Sequence, residues 1–146
     1  MIKKVFKPFT WLIIFAVINF IAAGIGSLVG GEGTAESGWG EGNVLAHDVY
    51  YETTYGFMFI GFSVIAAGLA FLTSGIQRAK MTVLFGVTMA LMIISVAVYS
   101  NAEGYSMGGP IILVPIALMS LVTLSLSLIH ISEPTRRYAI SGAVFC

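Results

Sequence analysis

Hydrophobic positions in this chain fall into long runs that carry no charge. Residues 9–30, 53–77 and 81–102 contain no Asp, Glu, Lys, Arg or His, and a fourth such run begins at 104. A helix that crosses a bilayer needs about 20 apolar residues rising 1.5 Å each. The pattern therefore predicts helices over 11–29, 55–75, 81–99 and from 110 to 125 or beyond, all in one polytopic domain spanning 1–125. Successive spans must cross in opposite directions. The expected fold class is an all-α integral membrane protein, an antiparallel bundle of four transmembrane helices.

Composition sharpens this reading. The 146 residues are 58% hydrophobic and only 10% charged, against roughly 25% charged in soluble domains. The net charge of zero conceals a strict separation of signs. Lys3, Lys4 and Lys7 precede the first span, and Arg78 and Lys80 lie between the second and third. Glu32, Glu36, Glu41, Asp48 and Glu52 crowd the 30–54 loop, which has no Lys or Arg, and Glu103 follows the third span. Basic residues are retained on the cytoplasmic side. The expectation is a multi-pass cell-membrane protein with its N-terminus in the cytoplasm and loops 30–54 and 100–109 outside. The first apolar run is longer than the 7–15 residues of a signal-peptide core, so it is expected to be a retained helix.

Few polar groups enter the spans. Asn19, mid-way along the first, is expected to hydrogen-bond a neighbouring helix, a contact worth about 0.6–2 kcal/mol in bilayers; its functional alternative is a ligand on a transport pathway. Ser63, Thr88, Ser95 and Ser120 can return their hydroxyls to carbonyls on their own helices, and Pro115 can kink the fourth. Small residues four apart, Ala22/Gly26/Gly30, Ser63/Ala67, Ala66/Ala70 and Gly86/Ala90, mark the faces where helices are expected to approach closely.

The loop "GGEGTAESGWGEGN", residues 30–43, is glycine-rich and expected to be irregular, with Trp39 returning to the interface. Asn43 is positioned to cap a helix that runs through "VLAHDVYYETTYG" into the second span. On that helix His47, Asp48, Tyr51 and Glu52 fall within about 140° of arc. His47, Asp48 and Glu52, with Glu103 from the next loop, form the candidate metal-ligand set, suited to zinc, manganese or iron. The plainer expectation for these residues is a solvated acidic face. Tyr50, Tyr51, Tyr55, Tyr99 and Tyr105 read as an aromatic belt.

The end of the chain reads differently. "LSLIHISEPTR", Leu126 to Arg136, resembles the in-frame translation of a transposon-type sequencing-library adapter. "ISGAVFC", from Ile140 to Cys146, resembles the primer that follows it, with Gly142 the one departure. Residues 126–146 are therefore expected to be non-native. The remaining part of the fourth span, 16 residues over 110–125, would rise only about 24 Å, so the native chain is expected to continue.

With that tail set aside, no cysteine remains for disulfide shuttling, and His47 is the one histidine, outside the spans. No span carries the carboxylate of a proton-coupled exporter. Phosphate-binding loops, nucleophile motifs and a nucleic-acid patch are absent from the sequence, and no cofactor is implied. The expected partners are the lipid bilayer and a membrane protein or a second copy of the chain. The expected function is that of a non-catalytic subunit or assembly partner with an acidic extracytoplasmic loop. The alternatives are a transporter or channel using Asn19 or further C-terminal helices, and a membrane enzyme with an outer-surface metal site around His47.

Overall fold

The structure is a computed structural model that describes residues 7–106; the expected fourth span and the 126–146 tail lie outside the described residues. Within them all regular structure is helical. Three helices are long and apolar enough to cross a membrane: α1 (Pro8–Trp39), α2 (Ala46–Leu72) and α3 (Gly75–Ala102). Their charges mark two ends. Lys7, Arg78 and Lys80 lie at the basic end, and every described Asp and Glu belongs to the opposite, acidic end.

Helix α1 begins where chemistry permits. Lys7 is extended, as a residue before proline must be, and Pro8 occupies the first turn, where no backbone donor is needed. The helix is regular to Ile18, widens into a π-helical stretch over Asn19–Ile25, and resumes as an α-helix over Gly26–Trp39. In the π stretch the Gly26 N–H donates to the carbonyl of Ile21, five residues back.

The second half of α1 corrects the sequence expectation. Residues 30–39 are not an irregular loop; the helix continues to Trp39, with a kink at Gly30 (φ −113°, ψ 25°). Glycine inside a helix costs roughly 1 kcal/mol each relative to alanine. What offsets that cost is contact with α2. Gly24, Gly31 and Gly38 repeat every seven residues, two helical turns, and so form one seam. A Cβ on Gly24 would lie 2.7 Å from Ile60 Cγ1, and one on Gly31 would lie 3.3 Å from the Val49 carbonyl oxygen. From the other side, a Cβ on Gly56 would stand 2.8 Å from the Gly24 carbonyl oxygen. Ser27 and Ala35 complete the seam, Ala35 with no exposed surface. The glycines are thus sites of backbone approach rather than of looseness.

The face the seam occupies is also a correction. Ala22, Gly26 and Gly30 are exposed, and the buried line is Gly24, Ser27, Gly31, Ala35 and Gly38. On α2 the expected Ser63, Ala66 and Ala70 are buried, as is Gly86 on α3.

Only Gly40–Leu45 connects α1 to α2. Gly40 reverses the chain at φ +89°, a conformation open to glycine, and its N–H donates to the Glu36 carbonyl at 2.8 Å. Asn43 does not cap α2. Its amide donates to the Trp39 carbonyl at 3.3 Å, finishing α1, and the α2 cap position belongs to Leu45. Thr73 and Ser74 alone separate α2 from α3, so Arg78 and Lys80 sit within the opening turns of α3.

Helix α3 packs differently. Phe15 on α1 meets Phe85 on α3 edge to face at 5.5 Å, and Leu12, Ala16, Ala66, Ala70 and Met89 close a buried cluster around them. Trp11 and Val83 pack on Ala79 nearby. Outside these contacts the bundle is apolar. Val29, Phe71 and Leu72 are 84%, 69% and 88% exposed, a surface that water would not tolerate at this extent.

Candidate functional site

Two clusters of polar chemistry stand out among the described residues. The first is at the acidic end, where α1, α2 and the segment after α3 converge. Helix α2 starts with the Leu45 N–H donating to Asp48 Oδ2 at 2.8 Å, so the carboxylate satisfies a free backbone donor of the first turn and complements the helix dipole. One turn on, Glu52 points along the same side and accepts the Tyr105 hydroxyl. Tyr105 follows Gly104, whose φ of +83° turns the chain back over α1.

The Tyr105 ring is seated on Gly38, where any side chain would collide with it, and packs edge to face with Trp39 at 5.1 Å. Ser106 fastens the next residue, its N–H donating to the Gly38 carbonyl at 2.9 Å. Burial raises the Tyr105 pKa well above the usual tyrosine value, and the hydrogen bond and negative charge of Glu52 push it further the same way. The phenol is therefore held neutral, as a donor to a carboxylate.

This arrangement redistributes the residues expected to hold a metal. Asp48 is committed to the helix start and Glu52 to Tyr105. His47 Nε2 lies 3.3 Å from Asp48 Oδ1, with its side chain 61% exposed, and its ring stacks edge-on with Tyr51 at 6.1 Å. Glu103 is exposed at the end of α3. Among the described residues no group of three or more His, Cys, Asp or Glu side chains could hold a metal ion. Of the tyrosine belt, Tyr50, Tyr51, Tyr55 and Tyr99 are exposed, whereas Tyr105 turns inward. Its role was hidden in the sequence because glycine at 38, sixty-seven positions away, creates the seat it fills.

The second cluster is at Asn19, where the π-helical stretch begins. Its amide nitrogen donates to the Phe59 carbonyl at 2.7 Å and lies 2.9 Å from the Ser63 hydroxyl. Ser63 itself donates to Phe59, one turn earlier on its own helix, at 2.9 Å. The three groups satisfy one another between α1 and α2, as expected of an interhelical hydrogen bond. A π-helical turn beside a polar pair often marks a functional place in a helix.

Comparison of the chain with protein-family models, with curated proteins and with solved structures gave no match. What the chain does must be argued from its own geometry.

Proposed function

We propose that this chain is a non-catalytic subunit or assembly partner of a membrane, and that its acidic end is the surface that meets another protein. The observation that carries this reading is the helical extension of α1 beyond Gly30. It holds Glu32 and Glu36, one turn apart and exposed, on a helix clamped to α2 through Gly31, Ala35 and Gly38. A fixed acidic ridge can present a charge pattern to a partner without first losing the entropy of a mobile loop.

The companion proposals are those of placement. The three helices cross the bilayer with the basic end in the cytoplasm, and a fourth over 110–125 completes an antiparallel bundle. The sign separation supports this orientation, since basic residues are held back from translocation.

Placement is tested with single cysteines in a Cys146→Ser background. Ser37 and Gln77 are both exposed, whereas Ala79 is only 6% exposed and would label poorly in either orientation. Ser37→Cys should react with an impermeant thiol reagent in intact cells, and Gln77→Cys only after permeabilisation. Equal labelling would defeat the orientation.

The partner is tested by crosslinking in the native membrane from a photoreactive residue at Ser37. A discrete adduct of constant mass should form, and Glu32→Lys with Glu36→Lys should reduce it several-fold. Absence of any adduct, or one indifferent to both charges, would remove the subunit reading.

A further inference from the structure

A groove of about 500 Å³ runs between α1 and α2. Ile13, Val17 and Phe20 line it from α1, and Val64, Ala67 and Phe71 line it from α2. The hydroxyl of Ser63, which also borders it, is already engaged by Asn19 and Phe59. The groove therefore offers no polar group in need of a partner. It suits a flexible hydrocarbon chain.

Its far end is not apolar. Phe71 stacks edge to face with Phe9 at 5.5 Å, and the Arg78 guanidinium lies over the Phe9 ring at 5.3 Å from the centroid. One guanidinium nitrogen donates to the Thr73 carbonyl, while Arg78 Nε is buried with no hydrogen-bond partner among the described residues. Lys7 and Lys80 lie at this same end. Among the described residues none of these three cations forms an ion pair, and all the described carboxylates are at the other end. An apolar groove thus leads, through two stacked rings, to positive charge that lacks a counter-anion.

We propose that this groove is a binding site for an anionic phospholipid, with one acyl chain between α1 and α2 and its phosphate beside Arg78. The complementarity is of both kinds: hydrocarbon against Ile13, Val17, Phe20, Val64, Ala67 and Phe71, and negative charge against an unpaired arginine. Arginine is the side chain best shaped for phosphate, and a basic residue at an anionic bilayer surface gains about fivefold in affinity for that surface. The proposal rests on the membrane placement above. That placement is checked separately by whether the chain stays with membranes in alkaline carbonate, so the two can fail independently.

The test uses the full chain in detergent and native mass spectrometry. Phosphatidylglycerol and phosphatidylcholine with identical acyl chains are offered in competition. The wild type should retain one phosphatidylglycerol at about fivefold excess over phosphatidylcholine. Arg78→Gln should abolish the preference, and Arg78→Lys should keep part of it. Val64→Trp, on the exposed rim of the groove, should reduce retention of both lipids.

Independently of any variant, a phosphatidylglycerol bearing a photoreactive acyl chain should crosslink the wild type at Phe20, Val64 or Ala67. Equal retention of the two headgroups by wild type would overturn the proposal. So would crosslinks spread over the exposed Leu84 and Leu91 of α3 with none in the groove. A Val64→Trp chain that changes oligomeric state while still holding lipid would show that a second copy fills the groove instead.

Discussion

Helices α2 and α3 are both held to α1, but by opposite means. Against α2, α1 has almost no side chains to offer; glycine, serine and alanine let the backbones come together over most of the helix length. Against α3 it uses bulk at the basic end, with Trp11, Leu12 and Phe15 reaching across to Ala79, Phe85 and Met89. Toward the acidic end α3 is tied through its following segment, by Tyr105 on Gly38 and Glu52. The comparison teaches where tolerance lies. A backbone-close seam has no rotamers with which to absorb an added atom, while a contact between large side chains can repack.

The largest effect is therefore expected at the seam. Gly56→Ala places a methyl against the Gly24 carbonyl and Leu28, and should destabilise the folded chain by about 1–3 kcal/mol in detergent unfolding, the usual cost of overpacking. A seam that accepted alanine here without loss would mean that α1 and α2 are further apart than described.

Next comes the tie on α3. Tyr105→Phe keeps the ring on Gly38 but removes the hydrogen bond to Glu52, and should cost about 1.5 kcal/mol, as for a bond to a charged group. The same residue predicts a pH dependence. Its raised pKa means the folded state favours the neutral phenol, so its contribution is intact at neutral pH and is lost as pH climbs past the ordinary tyrosine value of about 10. Ultraviolet titration should show one tyrosine ionising later than the exposed ones. Tyr105→Phe should remove that late step, and its persistence in the variant would assign it elsewhere.

Asn19→Ala should have a smaller effect, about 0.6–1.7 kcal/mol, because Ser63 keeps its bond to Phe59 when the amide is gone. Smallest, and opposite in sign, is Gly61→Ala. A Cβ there meets nothing within 4 Å, so the helix should gain up to about 1 kcal/mol. The same substitution, five positions apart on one helix, should thus have opposite consequences.

These contrasts show what the sequence could reveal. The three described spans were legible because lipid-length helices exclude charge, and the absence of charge is visible residue by residue. The interhelical bond of Asn19 was legible for a related reason, since an amide in an apolar run needs a partner. The seam was not. Gly24, Gly31 and Gly38 recur every seven residues in plain sight, but small residues at 22, 26 and 30 compete with them, and the π-helical stretch changes the phase of the face between Asn19 and Ile25. Residues 30–39 read as a loop because glycine's cost is intrinsic to the sequence, whereas its compensation comes from Val49, Thr53 and Tyr105 on other segments. Asp48 and Glu52 shared a helix face as expected. Their engagement with Leu45 and Tyr105 depended on contacts that helical spacing alone does not encode.

The π-helical stretch also bears on which changes of length the chain can accept. A ring closed from residue i to i+5 holds one residue more than the ordinary helical turn, so Asn19–Ile25 behaves as a helix into which a residue has been inserted. Deleting one residue within it would restore regular geometry and remove a local irregularity. It would also rotate everything beyond by about 100° relative to the part before. Gly24, Gly31 and Gly38 would then leave α2, and Tyr105 would lose its seat at the far end of the same helix. Substitutions in this stretch alter single contacts, whereas a change in its length re-aims an entire half of α1.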